Sequence, residues 1–454
     1  MTETAPGHSA MLSGREPVHT GIFSNDRGVP DPTFPLIDTP GVVGASPRRF
    51  VGTTLFDWMR SVNSSTRVLS VSRKDRGAIL PVGRARADVY WFAGGHFTTS
   101  QYYATSLPEW VRNFDENLHG DALPRRWTLL LPDTAYAERD SMPWEHDGGD
   151  FIFPHAFPDD PAERLRKLEE SPWMDSVTLA FALRGAQELA LGSRGATDLL
   201  SVSLSTTDKV GHTYGPDSRE MHDHLLRLDG WIGAFLDSLG RIVPRQRTLV
   251  VLTSDHGMTS FPEYTVTVRH QTAGRMSLAG RTQHAATDLG KRYGTTFDLS
   301  FDNGILTADV PSMRAHGVNV DSLTRVFVAA AKSLPGVAKV YTPSQLAAAP
   351  ASDADASRWK RNLPPEIGWL IATVAKPNFV FSDKLTGEHG TMQPETVAIP
   401  IAFMGPGVHT GTYARVVRSV DIAPTLAMLL GVTPMEALDG KAIPEVFQGG
   451  VPNP

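Results

Sequence analysis

Apolar and polar positions fall along this chain in blocks that separate strands from helices. Leu199–Leu204 and Thr248–Thr253 are short apolar runs, each followed at once by a polar loop, and they predict buried strands. Arg67–Val71, Asp88–Phe92, Val337–Tyr341, Leu299–Val310 and Ala398–Met404 predict further strands. Between them lie helical periods. Behind the capping residue Ser218, apolar side chains at 221, 225, 228, 232, 235, 236 and 239 form one stripe. Arg48–Val62, Leu107–Leu118, Thr178–Leu191, Val320–Ser333 and Ile422–Leu430 also read as helical, as does Gly7–Ser13, stopped by Gly14. Ala347–Ser357 predicts a solvated loop. Buried strands alternating with helices predict an α/β fold, with a mostly parallel central sheet sandwiched between helices. A single domain over 1–454 is expected, with insertions at approximately 63–150 and 262–388 forming a cap around the substrate mouth.

Composition narrows the class. Of 454 residues, 41% are hydrophobic and 20% charged, which excludes a mainly disordered chain. The net charge of -6 offers no global basic field for nucleic acid, and no apolar run approaches the ~18 residues of a membrane span. A small-molecule partner is expected instead. The chain has no cysteine, so disulfides and thiolate metal sites are excluded, and histidines and carboxylates remain as zinc ligands.

Polar clusters sit directly after the buried strands, where open parallel sheets place ligands. Asp208-Lys-Val-Gly-His212 follows Leu199–Leu204, Ser254-Asp255-His256-Gly257 follows Thr248–Thr253, and Gly387-Glu-His389-Gly-Thr precedes the strand at 398. Two carboxylates and three histidines exceed the needs of one catalytic zinc, so a pair of metals is the economical reading. Taken singly, each cluster has a plainer account: Asp255-His256 as a capping pair, Asp208 and His212 as an exposed ion pair, His389 as a turn. Thr4 precedes Pro6 at the start of a short helix, where free amides favour anions and a hydroxyl can serve as nucleophile. An ordinary N-cap is the alternative. Asn25 is a candidate amide for a phosphate oxygen, or else a turn residue. Lys74 and Arg76 suit a phosphate grip, or a solvated charged turn.

In this order the motifs resemble the alkaline phosphatase superfamily, and more closely the PafA-type bacterial enzymes with a threonine nucleophile. Thr4-Ala-Pro-Gly-His8, Lys74-Asp-Arg76-Gly-Ala, Asp208-x-x-x-His212, Asp255-His256, Gly-Glu-His389-Gly-Thr and the tail Ser419-Val-Asp421-Ile-Ala-Pro-Thr-Leu with Leu438-Asp-Gly440 carry the resemblance. It implies two zinc ions. Asp208, His212 and His389 would hold one; Asp255, His256 and the Thr4 oxygen would hold the other. It also implies phosphomonoester hydrolysis through a phosphothreonine at Thr4, with Asn25, Lys74 and Arg76 on the non-bridging oxygens. A phosphodiesterase or nucleotide pyrophosphatase on the same fold is the alternative, and an inactive metal- or phosphate-binding remnant is a second.

The family pattern further implies an aspartate ligand on a strand ahead of the nucleophile helix, and a secretion signal ahead of that. The sequence opens at Met1, three residues before Thr4, with neither. The expectation is a longer natural polypeptide that is periplasmic or secreted, and poor stability and weak activity for the chain as written.

Overall fold

Residues 2–447 are described by the computed structural model. They divide between a larger unit, Thr4–Asp255 with 399–447, and a smaller one, 2–3 with His256–Ala398. The larger unit carries helices α1 (Thr4–Ser13) and α2 (Leu55–Val62), strands β1 (Val68–Ser72), β2 (Asp88–Ala93) and β3 (His96–Thr98), and helix α3 (Trp173–Glu188). Strand β4 (Leu199–Ser203), helices α4 (Thr206–Tyr214) and α5 (Arg219–Ile242), and strand β5 (Val250–Thr253) follow.

The sheet order is β3-β2-β1-β4. Strand β1 pairs in parallel with both β2 and β4, while β3 returns antiparallel from β2. The order of pairing explains why β1 reads as uninterrupted Val-Leu-Ser-Val-Ser: it is central, and all five residues are buried. Leu69, Val71, Tyr90 and Phe92 pack on one face with Phe97 and Phe181, whose rings stack at 3.9 Å. Val68, Val89 and Trp91 pack on the other with Ile22, Phe50 and Ile79. The register sets Ser72 opposite Ser203, so β1 and β4 end level and their following loops emerge together. Strand β5 pairs antiparallel with Ile401–Met404, giving a mixed rather than wholly parallel arrangement.

The smaller unit is built on an antiparallel sheet. Strands β6 (Leu299–Asp302), β7 (Ile305–Ala308), β8 (Val337–Tyr341) and β9 (Trp369–Ala375) take the order β8-β9-β7-β6. Leu306, Leu370 and Ile371 meet Phe327 of the helix Val320–Ser333 in its core. The stretch 262–388 read as an insertion falls in this unit, whereas 63–150 supplies β1 and β2 as well as the loop-rich segment after them.

Three readings of the periodicity need correction. Leu299–Val310 is a hairpin, not one strand: Asn303 and Gly304 take φ of 46° and 87°, the left-handed pair that a tight turn requires. Ala347–Ser357 is not all loop. The helix Ala354–Asn362 begins there, capped by Asp353 and anchored by buried Ala356 and Trp359. Arg48–Val62 becomes helical only at Leu55, where Thr54 and Asp57 form a capping box. Ser218 does cap α5, its Oγ accepting from the Met221 amide at 3.0 Å. Among the described residues no helix is long and apolar enough to cross a membrane.

Candidate active site

Thr4, Asn25, Lys74, Arg76, Asp208, His212 and Asp255 lie in the larger unit; His256 and His389 lie in the smaller one. Thr4 opens α1, is 2% exposed, and its hydroxyl has no hydrogen-bond partner among the described residues. The adjoining Ala5 amide donates to Asn25 Oδ1 at 2.9 Å, which fixes that side chain against the head of the helix. Gly7 allows the helix to approach the Asp255 backbone. A Cβ on Gly7 would lie 2.5 Å from the Asp255 carbonyl oxygen, so no larger residue fits. Asp255 Oδ2 also stands 3.7 Å from His8 Nε2, and His8 reaches Ser203 Oγ at 3.2 Å.

Beyond β1, the Lys74 amide donates to Ser72 Oγ at 3.0 Å. Its ammonium donates to the Asp208 carboxylate, both side chains being mostly buried. Burial pulls the Lys74 pKa below its ordinary value, and Asp208 resists that shift. Asp208 and His212 share one face of α4, with His212 Nε2 3.4 Å from Asp208 Oδ1. Arg76 lies beside Asp75 at 3.5 Å, and its Nε is buried with no partner among the described residues.

Two residues that sequence reasoning missed hold α4 in place. Asp175 on α3 is fully buried and accepts from the Thr206 amide at 3.1 Å and from its hydroxyl at 2.8 Å. Burial pushes its carboxyl up to about 6, against the Thr206 bonds. His224 on α5 is equally buried, contacts Thr207 Oγ1 at 2.9 Å, and is pushed down to about 4 by burial, so it is a neutral imidazole. The only sequence signal was a carboxylate and an imidazole among the apolar positions of two amphipathic helices.

In the smaller unit, the rings of His256 and His389 lie 4.0 Å apart. Each places Nδ1 on a backbone carbonyl, His256 on Gly257 at 2.9 Å and His389 on Thr2 at 2.8 Å. A carbonyl only accepts, so in the neutral ring the proton sits on Nδ1 and the lone pair on Nε2. Backbone-anchored histidines of this kind are what metal sites use. The segment that carries His389 is itself pinned: the Thr259 amide and hydroxyl both donate to the Glu388 carbonyl at 2.8 Å.

The sequence profile of type I phosphodiesterases and nucleotide pyrophosphatases matches residues 1–396. The chain belongs to that family. Alkaline phosphatase PhoV of Synechococcus elongatus is 29% identical over 479 residues, covering 98% of this chain and 84% of the relative. Alkaline phosphatase PafA of Elizabethkingia meningoseptica is 29% identical over 485 residues, covering 98% and 86%. The crystal structure of wild-type PafA superposes with a TM-score of 0.86 at 26% identity, over 98% of this chain and 90% of that one. The fold is thus the alkaline-phosphatase-like α/β fold, and this member of the phosphodiesterase family is an enzyme of phosphoester hydrolysis.

Proposed function

We propose that the chain is a zinc-dependent phosphomonoester hydrolase with Thr4 as its nucleophile. The observation that carries this reading is the Thr4 hydroxyl, buried and unpartnered at the head of α1 beside the anchored Asn25 amide. A structural cap would bond its own helix; this one does not.

Asp208, His212 and His389 would hold one zinc ion, and Asp255 and His256 a second, together with the Thr4 oxygen. The donor set is all nitrogen and oxygen, as zinc accepts, and His256 and His389 are each oriented by an Nδ1 bond to a backbone carbonyl. Bound there, the ions supply Lewis acidity that lowers the pKa of a hydroxyl or a water. The chain's own groups do the rest. Thr4 Oγ1 attacks phosphorus and the ester oxygen departs as the alcohol; water then cleaves the phosphothreonine and releases phosphate. Asn25, Lys74 and Arg76 bind the non-bridging oxygens, as amide, point charge and fork respectively. A monoester dianion presents one more charged oxygen to this pair than a diester does, and that favours monoesters. Export to the periplasm or the medium, implied by the family resemblance, belongs to the same proposal.

Acid quenching during turnover of an aryl phosphate, followed by peptide mass mapping, tests the nucleophile. A phosphate on the Thr4 peptide is expected, and none on Thr4→Ala. Turnover by Thr4→Ala at the parent rate would refute the assignment. The family's diesterase members supply the second reading. It is preferred if a bis-aryl phosphate is cleaved faster than the monoester.

A further inference from the structure

At the opposite end of the larger unit's sheet, where β1 and β2 begin, lies a cleft of about 370 Å³. Four guanidinium groups line it, those of Arg60, Arg67, Arg86 and Arg194, and Asp88 is its only acid. Asp88 is in turn engaged by the Tyr90 hydroxyl at 3.3 Å. In a chain of net charge -6 this is a local reversal of sign. Three of the arginines are held in position by backbone carbonyls. Arg67 donates to Leu189 at 2.9 Å, Arg194 to Ser65 at 3.1 Å, and Arg86 to Tyr102, whose ring it also covers at 4.0 Å. Arg194 also donates to both oxygens of the buried Asp198 side chain, at 2.8 and 3.0 Å, which matches its charge. Arg60 lies over the Phe56 ring at 5.8 Å. A guanidinium has five N–H donors, so one or two anchoring bonds leave others for a ligand and remove much of the entropy cost of presenting them. The Ser65 and Thr66 hydroxyls complete the lining.

We propose that this cleft is a second, non-catalytic anion site, taking a small compound with several phosphate charges. It is distinct from the proposed catalytic groups, which follow the other end of β1; the five residues of that strand separate the two by roughly 15 Å. Arg60, Arg67 and Arg86, with Arg194 already held by Asp198 beside them, match several charged oxygens better than a single phosphate. The concave shape and modest volume favour a compact oligoanion over a polymer, whose backbone needs an extended basic track.

Pyrenetetrasulfonate, an oligoanion that phosphatases cannot hydrolyse, serves as the probe, with binding read by fluorescence anisotropy and displacement by tripolyphosphate. The double variant Arg60→Glu/Arg86→Glu should weaken binding at least about tenfold, the direction expected when two of four charges are reversed, and should turn over an aryl phosphate as the parent does. Lys74→Ala should bind the probe unchanged. Equal affinity of the double variant and the parent overturns the proposal, and so does loss of binding in Lys74→Ala, which would place the probe in the catalytic pocket. A single-stranded oligonucleotide that binds more tightly than tripolyphosphate would overturn the small-ligand assignment. Should the double variant fail to fold, Arg60→Gln is read against the same probe, with a weaker affinity expected and an unchanged one counting against the site. The measurement needs no turnover, so it stands or falls apart from the phosphatase reading.

Discussion

The larger unit buries carboxylates in two places and stabilises them in opposite ways. At the ends of β1 and β4, Asp208 faces the Lys74 ammonium, and Asp175 accepts two bonds from Thr206. In the segment 126–155, packed against α5, Glu145 is 2% exposed and Glu220 fully buried, and one carboxyl oxygen of each has no partner among the described residues. His155 meets Glu220 at 2.8 Å and Asp150 at 3.3 Å. Burial, then Glu220 and Asp140, push the Glu145 carboxyl up to about 10. The first region keeps its carboxylates charged by pairing them; the second keeps one neutral by protonating it. Charge that is paired can be lent to a substrate, whereas a protonated acid only fills space until pH rises.

Breaking the paired region should have the largest effect. Lys74→Ala removes a phosphate donor and strips Asp208 of its counter-charge. It should lower kcat/KM for an aryl phosphate by about 10²–10³, the range typical of one lost transition-state donor. Arg76→Ala should act in the same direction by about tenfold, because its neighbour Asp75 is part-exposed and is less unbalanced by the loss than Asp208. The monoester rate should fall more than the diester rate in both variants. Steady-state kinetics on the two aryl substrates measure this, and equal losses on both would remove Lys74 and Arg76 from the oxygen grip.

Asp175 sharpens the same contrast through position alone. Asp175→Ala deprives the Thr206 amide and hydroxyl of their acceptor and should destabilise the fold by about 1–3 kcal/mol. Asp175→Asn keeps an acceptor and should recover most of that in a urea titration.

How far the sequence revealed these regions depended on whether the governing contacts were local. Asp208 and His212 are one helical turn apart, and Thr4 is two residues ahead of Pro6, so spacing raised them as candidates beside an ion pair and an ordinary N-cap, and the family resemblance gave them their expected roles. The helix bounds Val320–Ser333 and Ile422–Leu430 followed from periodicity and Gly431, and Val337–Tyr341 from its alternation. Asp175 and His224 were invisible because their partners, Thr206 and Thr207, lie 31 and 17 residues away. The Lys74–Asp208 pair spans 134 residues and exists only because β1 and β4 are neighbours in register. The cleft of four arginines escaped notice for the same reason: Arg60 and Arg194 share no local pattern. The hairpin at Asn303-Gly304 was a different case. Its turn signal was present, but the apolar run around it outweighed the signal.

Glu145→Gln probes the protonated region. The native carboxyl holds its proton far above the ordinary value near 4.5, so its contribution is intact below that value and is lost as pH climbs toward about 10. Gln is a permanent mimic of the neutral acid. Parent and variant should match near pH 4, and the variant should gain about 2 kcal/mol by pH 6. Urea midpoints across that range check the slope, and a pH-independent difference would show that Glu145 is ionised in the native state and paired to a cation.

The smallest effect belongs to Asp140, half-buried, which adds to the negative field on both Glu145 and Glu220. Asp140→Asn retains the acceptor for the Phe153 amide, a bond of 3.2 Å, while removing one charge. Stability at pH 8 should rise by about 0.5 kcal/mol, as for a partly screened charge. Because native Glu145 already carries its proton at pH 8, the gain comes through Glu220 and should be about the same when Glu145→Gln is present. A gain that instead shrinks in that double-mutant cycle would show that Glu145 is ionised at pH 8 and repelled by Asp140.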